Sequence, residues 1–230
     1  MEYLAVTVLI GSIWSLLYYA RPDLRKMQLW SSWYFTTVMT IGFVALKVTL
    51  DLPVEQSINP GYWHPNTLFN LNALTGGYAI EDAFFIFFMG GVGAVVYEEL
   101  FRKHVARIHA KHRPHFAVKI GVAAAALVAL LHVNLIYALI AFGFAGAFVI
   151  WWQRHDLIRH SLVGGAAFLS IYAVSYWLVL FMFPEFVAHH YNFSNVSGLT
   201  FVQLPIEEYL FAFSFGLMWS PLYEYMRDVR

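Results

Sequence analysis

The chain has 230 residues, 60% of them hydrophobic and 12% charged, with a mean hydropathy of +0.60. Soluble domains carry about 25% charged residues, so this composition excludes an ordinary soluble fold and points to one membrane-embedded helical domain. The formal net charge is zero and cysteine is absent; nothing here suits nucleic acid, and disulfides, thiolate metal sites and cysteine nucleophiles are excluded.

A helix crossing the bilayer core needs about 20 apolar residues. In chain order, apolar runs predict spans over 3–20, 29–50, 80–98, 116–132, 135–152, 161–183 and 205–223. No basic leader precedes the first run and no small-residue cleavage site follows it, so a retained span is expected rather than a signal peptide. The run from Phe116 to Trp152 is too long for one straight span, and "HVN" (His132 to Asn134) offers a tight turn. His132 itself reads as a hydrogen-bonded contact between helices. The loops 51–78 and 184–204 carry Pro, Asn, Gly and aromatic residues and almost no positive charge.

Cytoplasmic loops gather Lys and Arg. Seven spans with the N-terminus outside place Arg21, Arg25, Lys26, Arg102, Lys103, Arg107, Lys111, Arg113, Lys119, Arg154, Arg159, Arg227 and Arg230 inside, with Lys47 the exception. Six spans would move Arg154 and Arg159 outside. The expected fold is therefore an all-α, multi-pass protein of the cell membrane, with seven transmembrane helices, N-out and C-in.

Shifted by 126 residues, "IEDAFFIFFMGGVGAVVYE" falls on "IEEYLFAFSFGLMWSPLYE" without a gap. Ile80, Glu81, Phe85, Phe87, Gly90, Tyr97 and Glu98 match Ile206, Glu207, Phe211, Phe213, Gly216, Tyr223 and Glu224. Earlier in each half, "RPDL" at Arg21 meets "RHDL" at Arg154 at a shift of 133. The sequence thus divides into a first repeat over about 1–100, a linker span over about 101–134 and a second repeat over about 135–230. An intervening span restores the direction of the second copy, so the repeats are parallel, related by an axis along the membrane normal. Both acid pairs then lie at one depth, near the outer surface, where a cavity shared by the two repeats is expected.

Ionisable groups inside spans are functional candidates by default. Adjacent helix residues project about 100° apart, so within Glu81–Asp82 and within Glu207–Glu208 one member is expected to face the bundle interior. A water-poor site disfavours two neighbouring anions, and one carboxylic acid beside one carboxylate makes a general acid and a general base. First-turn acids are also ordinary helix caps and interface anchors, and that reading stands beside the catalytic one. Tyr97–Glu98 and Tyr223–Glu224 read as a cytoplasmic belt in which Glu pairs with Arg. Rings near the acids would stabilise a cation. His189 and His190 lack a spaced second ligand set, so no metal is expected. "NFS" at Asn192 and "NVS" at Asn195 match glycosylation sequons.

"INPGY", "IEDAFFIFF", "LPIEEYLFAF" and the closing "LYEYM" together resemble the membrane-type lycopene β-cyclase family, in its fused two-repeat form, over nearly the whole chain. The resemblance implies protonation of C2 in a linear end group, attack of the C5–C6 double bond on the C1 cation, and proton loss to close a β-ionone ring. No net redox change occurs, so no cofactor is expected, although flavin dependence stays open. It implies Glu207 and Glu208 as catalytic residues with full motif agreement. It implies Glu81 and Asp82 with two departures, Ala79 in place of proline and Asp in place of the second Glu. Phe85, Tyr209, Phe211, Phe213, Asn59 and Asn192 form the expected substrate-binding set. The implied partners are a long apolar isoprenoid or carotenoid and membrane lipid, with homo-oligomers compatible. A binding protein that holds such a ligand without converting it is the alternative.

Overall fold

The computed structural model describes residues 2–49, 53–101 and 114–227. The basic residues expected between 102 and 113, the Lys47 side chain and Arg230 lie outside what it describes. In chain order it contains α1 (Glu2–Ala20), α2 (Arg25–Thr49), the short α3 (Leu71–Thr75), α4 (Ile80–Phe101), α5 (Phe116–Ala129), α6 (Leu135–Gln153), α7 (Ile158–Met182) and the short α8 (Phe186–His190). A hairpin of β1 (Thr200–Phe201) and β2 (Leu204–Pro205) follows, then α9 (Ile206–Trp219) and α10 (Leu222–Arg227). Among the described residues, α1, α2, α4, α6 and α7 are the five helices long and apolar enough to cross a membrane. Helices α5 and α9 are apolar but have 14 residues each, about 21 Å at 1.5 Å per residue.

The long apolar run is broken where a turn was expected. α5 ends at Ala129, and His132 adopts a positive φ of 57°. Asn134 then caps α6, its side chain accepting from the Ile136 N–H at 3.0 Å. Its amide donates to the carbonyls of Glu55 and Ser57, both at 2.9 Å. One asparagine thus starts a helix and pins the loop between α2 and α4. His132 lies exposed in the turn, not between helices as the sequence suggested, because the cap places the chain reversal there.

In each half the third long helix packs against the first two: α4 against α1 and α2, α9 against α6 and α7. Small residues permit the close approach, as is usual between membrane helices. A Cβ on Gly90 would sit 2.9 Å from the Ser31 carbonyl oxygen, and one on Gly216 would sit 2.8 Å from the Gly165 Cα. Phe215 lies between the halves, its ring 4.8 Å from Phe35 and 4.7 Å from Phe168. The Trp219 indole donates to the Gly90 carbonyl at 3.0 Å. The R-x-D signatures make one fork twice: Arg21 on Asp23 at 2.9 and 2.8 Å, and Arg154 on Asp156 at 2.8 and 2.8 Å.

Pro221 separates α9 from α10 without ending the helical path. The Ser220 N–H still donates to the Gly216 carbonyl at 3.2 Å, and the Tyr225 N–H to the Pro221 carbonyl at 2.9 Å. Proline has no N–H for the carbonyl four residues earlier, which belongs to Leu217. The buried Ser161 hydroxyl on α7 donates to that carbonyl at 2.5 Å. Ser161→Ala is expected to lower stability by about 1–3 kcal/mol, the range for a buried acceptor left unsatisfied. In a Pro221→Ala background, which restores the N–H, the same substitution should have a much smaller effect. Thermal unfolding of the four proteins in detergent checks this, and equal losses in both backgrounds would contradict it.

Candidate active site

The loops before α4 and before α9 are tied to each other over the ends of those helices. Trp63 and Tyr191 form an isolated antiparallel bridge. The Asn192 N–H donates to the Tyr62 carbonyl at 2.9 Å, and the His64 N–H to the His190 carbonyl at 3.0 Å. The Asn195 side chain donates to the Gly61 carbonyl at 2.7 Å. His190 Nε2 lies 2.5 Å from a Glu2 carboxylate oxygen, joining this roof to the start of α1.

The first acid of each pair fastens its own loop. Glu81 accepts from the Leu68 N–H at 2.5 Å, and Glu207 from the Ser197 N–H at 2.9 Å. Tyr137 on α6 adds a second donor to the same Glu207 oxygen at 2.8 Å. Both side chains are buried. Two matched positions therefore make one kind of bond, a carboxylate holding a loop amide.

The second acid of each pair is held by tyrosine. Asp82, half-buried, accepts from the Tyr3 hydroxyl and from the Ala79 N–H at 2.7 Å. Glu208 is 5% exposed. One of its oxygens accepts from Tyr62 at 2.8 Å and the other from Tyr172. Tyr191 donates to Tyr176 at 3.0 Å beside them. Burial first, then the negative field of Glu208, holds the loop phenols of Tyr62 and Tyr191 well above the ordinary tyrosine range; they remain neutral donors.

Contacting rings join the two carboxyls. Tyr3 meets Trp63 at 5.4 Å, Trp63 meets Tyr191 at 4.8 Å, and Tyr191 meets Tyr62 at 5.2 Å. A second path runs from Trp63 to Phe186 at 5.5 Å, then to Tyr176 at 6.3 Å and to Tyr172 at 4.9 Å. Where an open shared cavity was expected, rings occupy the space. Two open pockets flank it. One of about 250 Å³ is lined by Trp177, Leu180, Phe181, Pro184, Val202 and Gln203; the other, of about 390 Å³, includes Glu2, His64, His189 and His190.

The remaining sequence candidates are dispersed. Phe211 lies 6.3 Å from Tyr172 and Phe85 lies 6.4 Å from Tyr3, each beside a tyrosine that holds an acid. Tyr209 accepts from Trp177 at 3.2 Å and donates to the Phe201 carbonyl at 2.9 Å, away from Glu208. Phe213 packs on Phe144 at 6.5 Å. Asn192 accepts from the Ser194 N–H at 3.2 Å within its own turn. The Asn59 amide nitrogen is buried with no hydrogen bond to a described residue.

Sequence reasoning missed Tyr3, Tyr62, Tyr172, Tyr176 and Tyr191. A usable signal existed for one pair, since Tyr172 and Tyr176 stand four residues apart and share a helix face. Glu98 and Glu224, read as part of a cytoplasmic belt, are 3% and 1% exposed. They turn inward toward His160 because α4, α7 and α10 meet there, and the Tyr97 ring stacks on the imidazole at 3.9 Å.

A family model described as Lycopene cyclase matches residues 1–100 and 134–226, most of the chain. No curated protein and no solved structure matches it. The interruption covers residues 101–133, which include α5.

Removing a hydroxyl from the ring cage should be felt. Tyr172→Phe deletes a buried donor to Glu208 and is expected to lower stability by about 1–3 kcal/mol, the range for a buried acceptor left unsatisfied. Tyr209→Phe, which deletes an exposed bond, should stay within about 0.5 kcal/mol. Thermal midpoints in one detergent compare the two; equal shifts would contradict the cage.

Proposed function

The chain belongs to the lycopene cyclase family, and from that premise we propose that it closes a β-ionone ring at the end of linear lycopene, toward γ- or β-carotene, with Glu208 as the proton-transferring residue. The observation carrying this reading is Glu208 itself: a carboxyl 5% exposed, gripped by two phenols among aromatic rings between the two halves.

The chemistry balances within one residue. The Glu208 carboxyl gives a proton to C2, and the C1 cation takes the electron pair of the C5–C6 double bond. In the closed ring C2 and C6 are both bonded to C1, so the carboxylate left behind is near enough to take the C6 proton and return to its starting state. Hydrogen gained equals hydrogen lost, and neither oxidant nor reductant is consumed. Tyrosine and phenylalanine faces, Phe211 among them, stabilise the cation by about 0.5–2 kcal/mol per favourable ring. Asp82 holds the corresponding position at the far end of the ring path. Glu81 and Glu207 position the loops.

The same reading treats the chain as seven crossings, N-out and C-in. With α10, α9 spans 206–227 across the Pro221 step, about 33 Å at helical rise, enough for the hydrocarbon core of about 30 Å. α5 and the turn after it form the remaining crossing. Admission of an end group requires the bridged loops to lift and the rings to part. The lipid-side pocket at Trp177 and Phe181 is where the apolar chain approaches.

Expression in a lycopene-accumulating host, followed by pigment chromatography, tests the assignment. Wild type is expected to convert lycopene, and Glu208→Gln to lose about 10²–10⁴-fold in rate, the usual contribution of a general acid–base. Glu207→Gln keeps an acceptor for Ser197 and should retain conversion. Lycopene that co-purifies unchanged with well-folded wild type would identify a binding protein instead. Equal losses in the two variants would overturn the role of Glu208.

A further inference from the structure

At the cytoplasmic end of the bundle, Glu98 on α4, His160 on α7 and Glu224 on α10 converge. One ligand atom from each lies within 4.8 Å of the others, and all three residues are buried. Glu98 and Glu224 are repeat partners at the 126-residue shift, so the relation between the repeats brings two carboxylates face to face. His160 is not duplicated: the position 133 residues earlier is Met27.

Glu224 is the member of the three whose oxygens stay open to a ligand. Neither Glu224 oxygen forms a hydrogen bond to a described residue, although the side chain is 1% exposed. Arg154 lies in electrostatic range of Glu224 with its Nε and Nη2 forked on Asp156, so its single charge is shared between two carboxylates. His160 Nε2 stands 3.6 Å from a Glu98 oxygen, long for an N–H···O bond of about 2.7–3.2 Å. That separation suits two ligands of one ion, each about 2.0–2.2 Å from it. The Tyr97 stack fixes the imidazole plane.

We propose that Glu98, His160 and Glu224 bind a first-row divalent cation, of the zinc or manganese class, that clamps the two repeats together at their cytoplasmic end. One imidazole and two carboxylates form a donor set for such ions. The site is structural. Along α4, Glu98 stands about 25 Å from Asp82 at helical rise, too far to touch a group reacting at the outer end. It depends in no way on the cyclase assignment.

Full-length protein purified in detergent is stripped with EDTA and dialysed against zinc or manganese. Metal content is then measured by mass spectrometry and stability by thermal midpoint. One ion per chain is expected, with a midpoint rise of about 5–10 °C at a hundredfold excess over Kd. Glu224→Gln and His160→Gln should each lose the ion and the rise, while Glu99→Gln, nearby and outside the cluster, keeps both. Should either cluster variant fail to fold, the stoichiometry and the EDTA-reversible midpoint of wild type decide the matter. Wild type that takes up no ion and shows no shift would overturn the proposal and leave a proton shared between the carboxylates. Metal retained in both folded variants would overturn it equally.

Discussion

A carboxyl group taken out of water must find its hydrogen bonds where it stands. Four acids at one end of the bundle meet that demand at one or both oxygens. Glu81 and Glu207 take backbone amides, and in doing so fasten the loops before α4 and α9. Asp82 and Glu208 take phenol hydroxyls, and in doing so gather the rings between the repeats. The bridge between Trp63 and Tyr191 then holds both loops in one roof. In the cyclase reading, the arrangement that stabilises the acids also surrounds them with the faces a carbocation requires.

Matched residues recur in the frame, and unmatched ones stand where the chemistry is proposed. The two halves share the glycine at 90 and 216, the fork of Arg21 and Arg154, and the loop-holding carboxylates. They differ where function is assigned. Asp82 is shorter than Glu208 by one methylene and has one phenol where Glu208 has two. His160 stands where the first copy has Met27, which gives the cytoplasmic end a donor without a counterpart. In the readings proposed above, the unmatched residues separate a proton-transfer site from a cation site.

Much of the frame was legible in the residues. Hydropathy runs found each long helix, and "HVN" marked the reversal between α5 and α6. The matched acids were visible at a fixed shift. The tyrosines that hold them were not, because Tyr62 and Tyr191 sit in loops whose pairing depends on long-range contacts, while Tyr3 and Tyr172 read as ordinary apolar helix residues. Pattern likewise took Glu98 and Glu224 for a surface belt, since a first-to-last helix period does not say which face a third helix will cover. The filling of the expected cavity by rings is a property of packing, and periodicity carries no trace of it.

Isotope incorporation tests the central claim most directly. Membranes carrying the protein are equilibrated in D₂O and given less than one lycopene per chain, so that each carboxyl acts once from its exchanged state, and the cyclised pigment is weighed by mass spectrometry. If an acid in exchange with solvent protonates C2, each ring closed gains one deuterium, and the Glu208→Gln protein yields neither ring nor label. Cyclised product of unchanged mass would contradict proton transfer from a protein carboxyl and with it the assignment of Glu208.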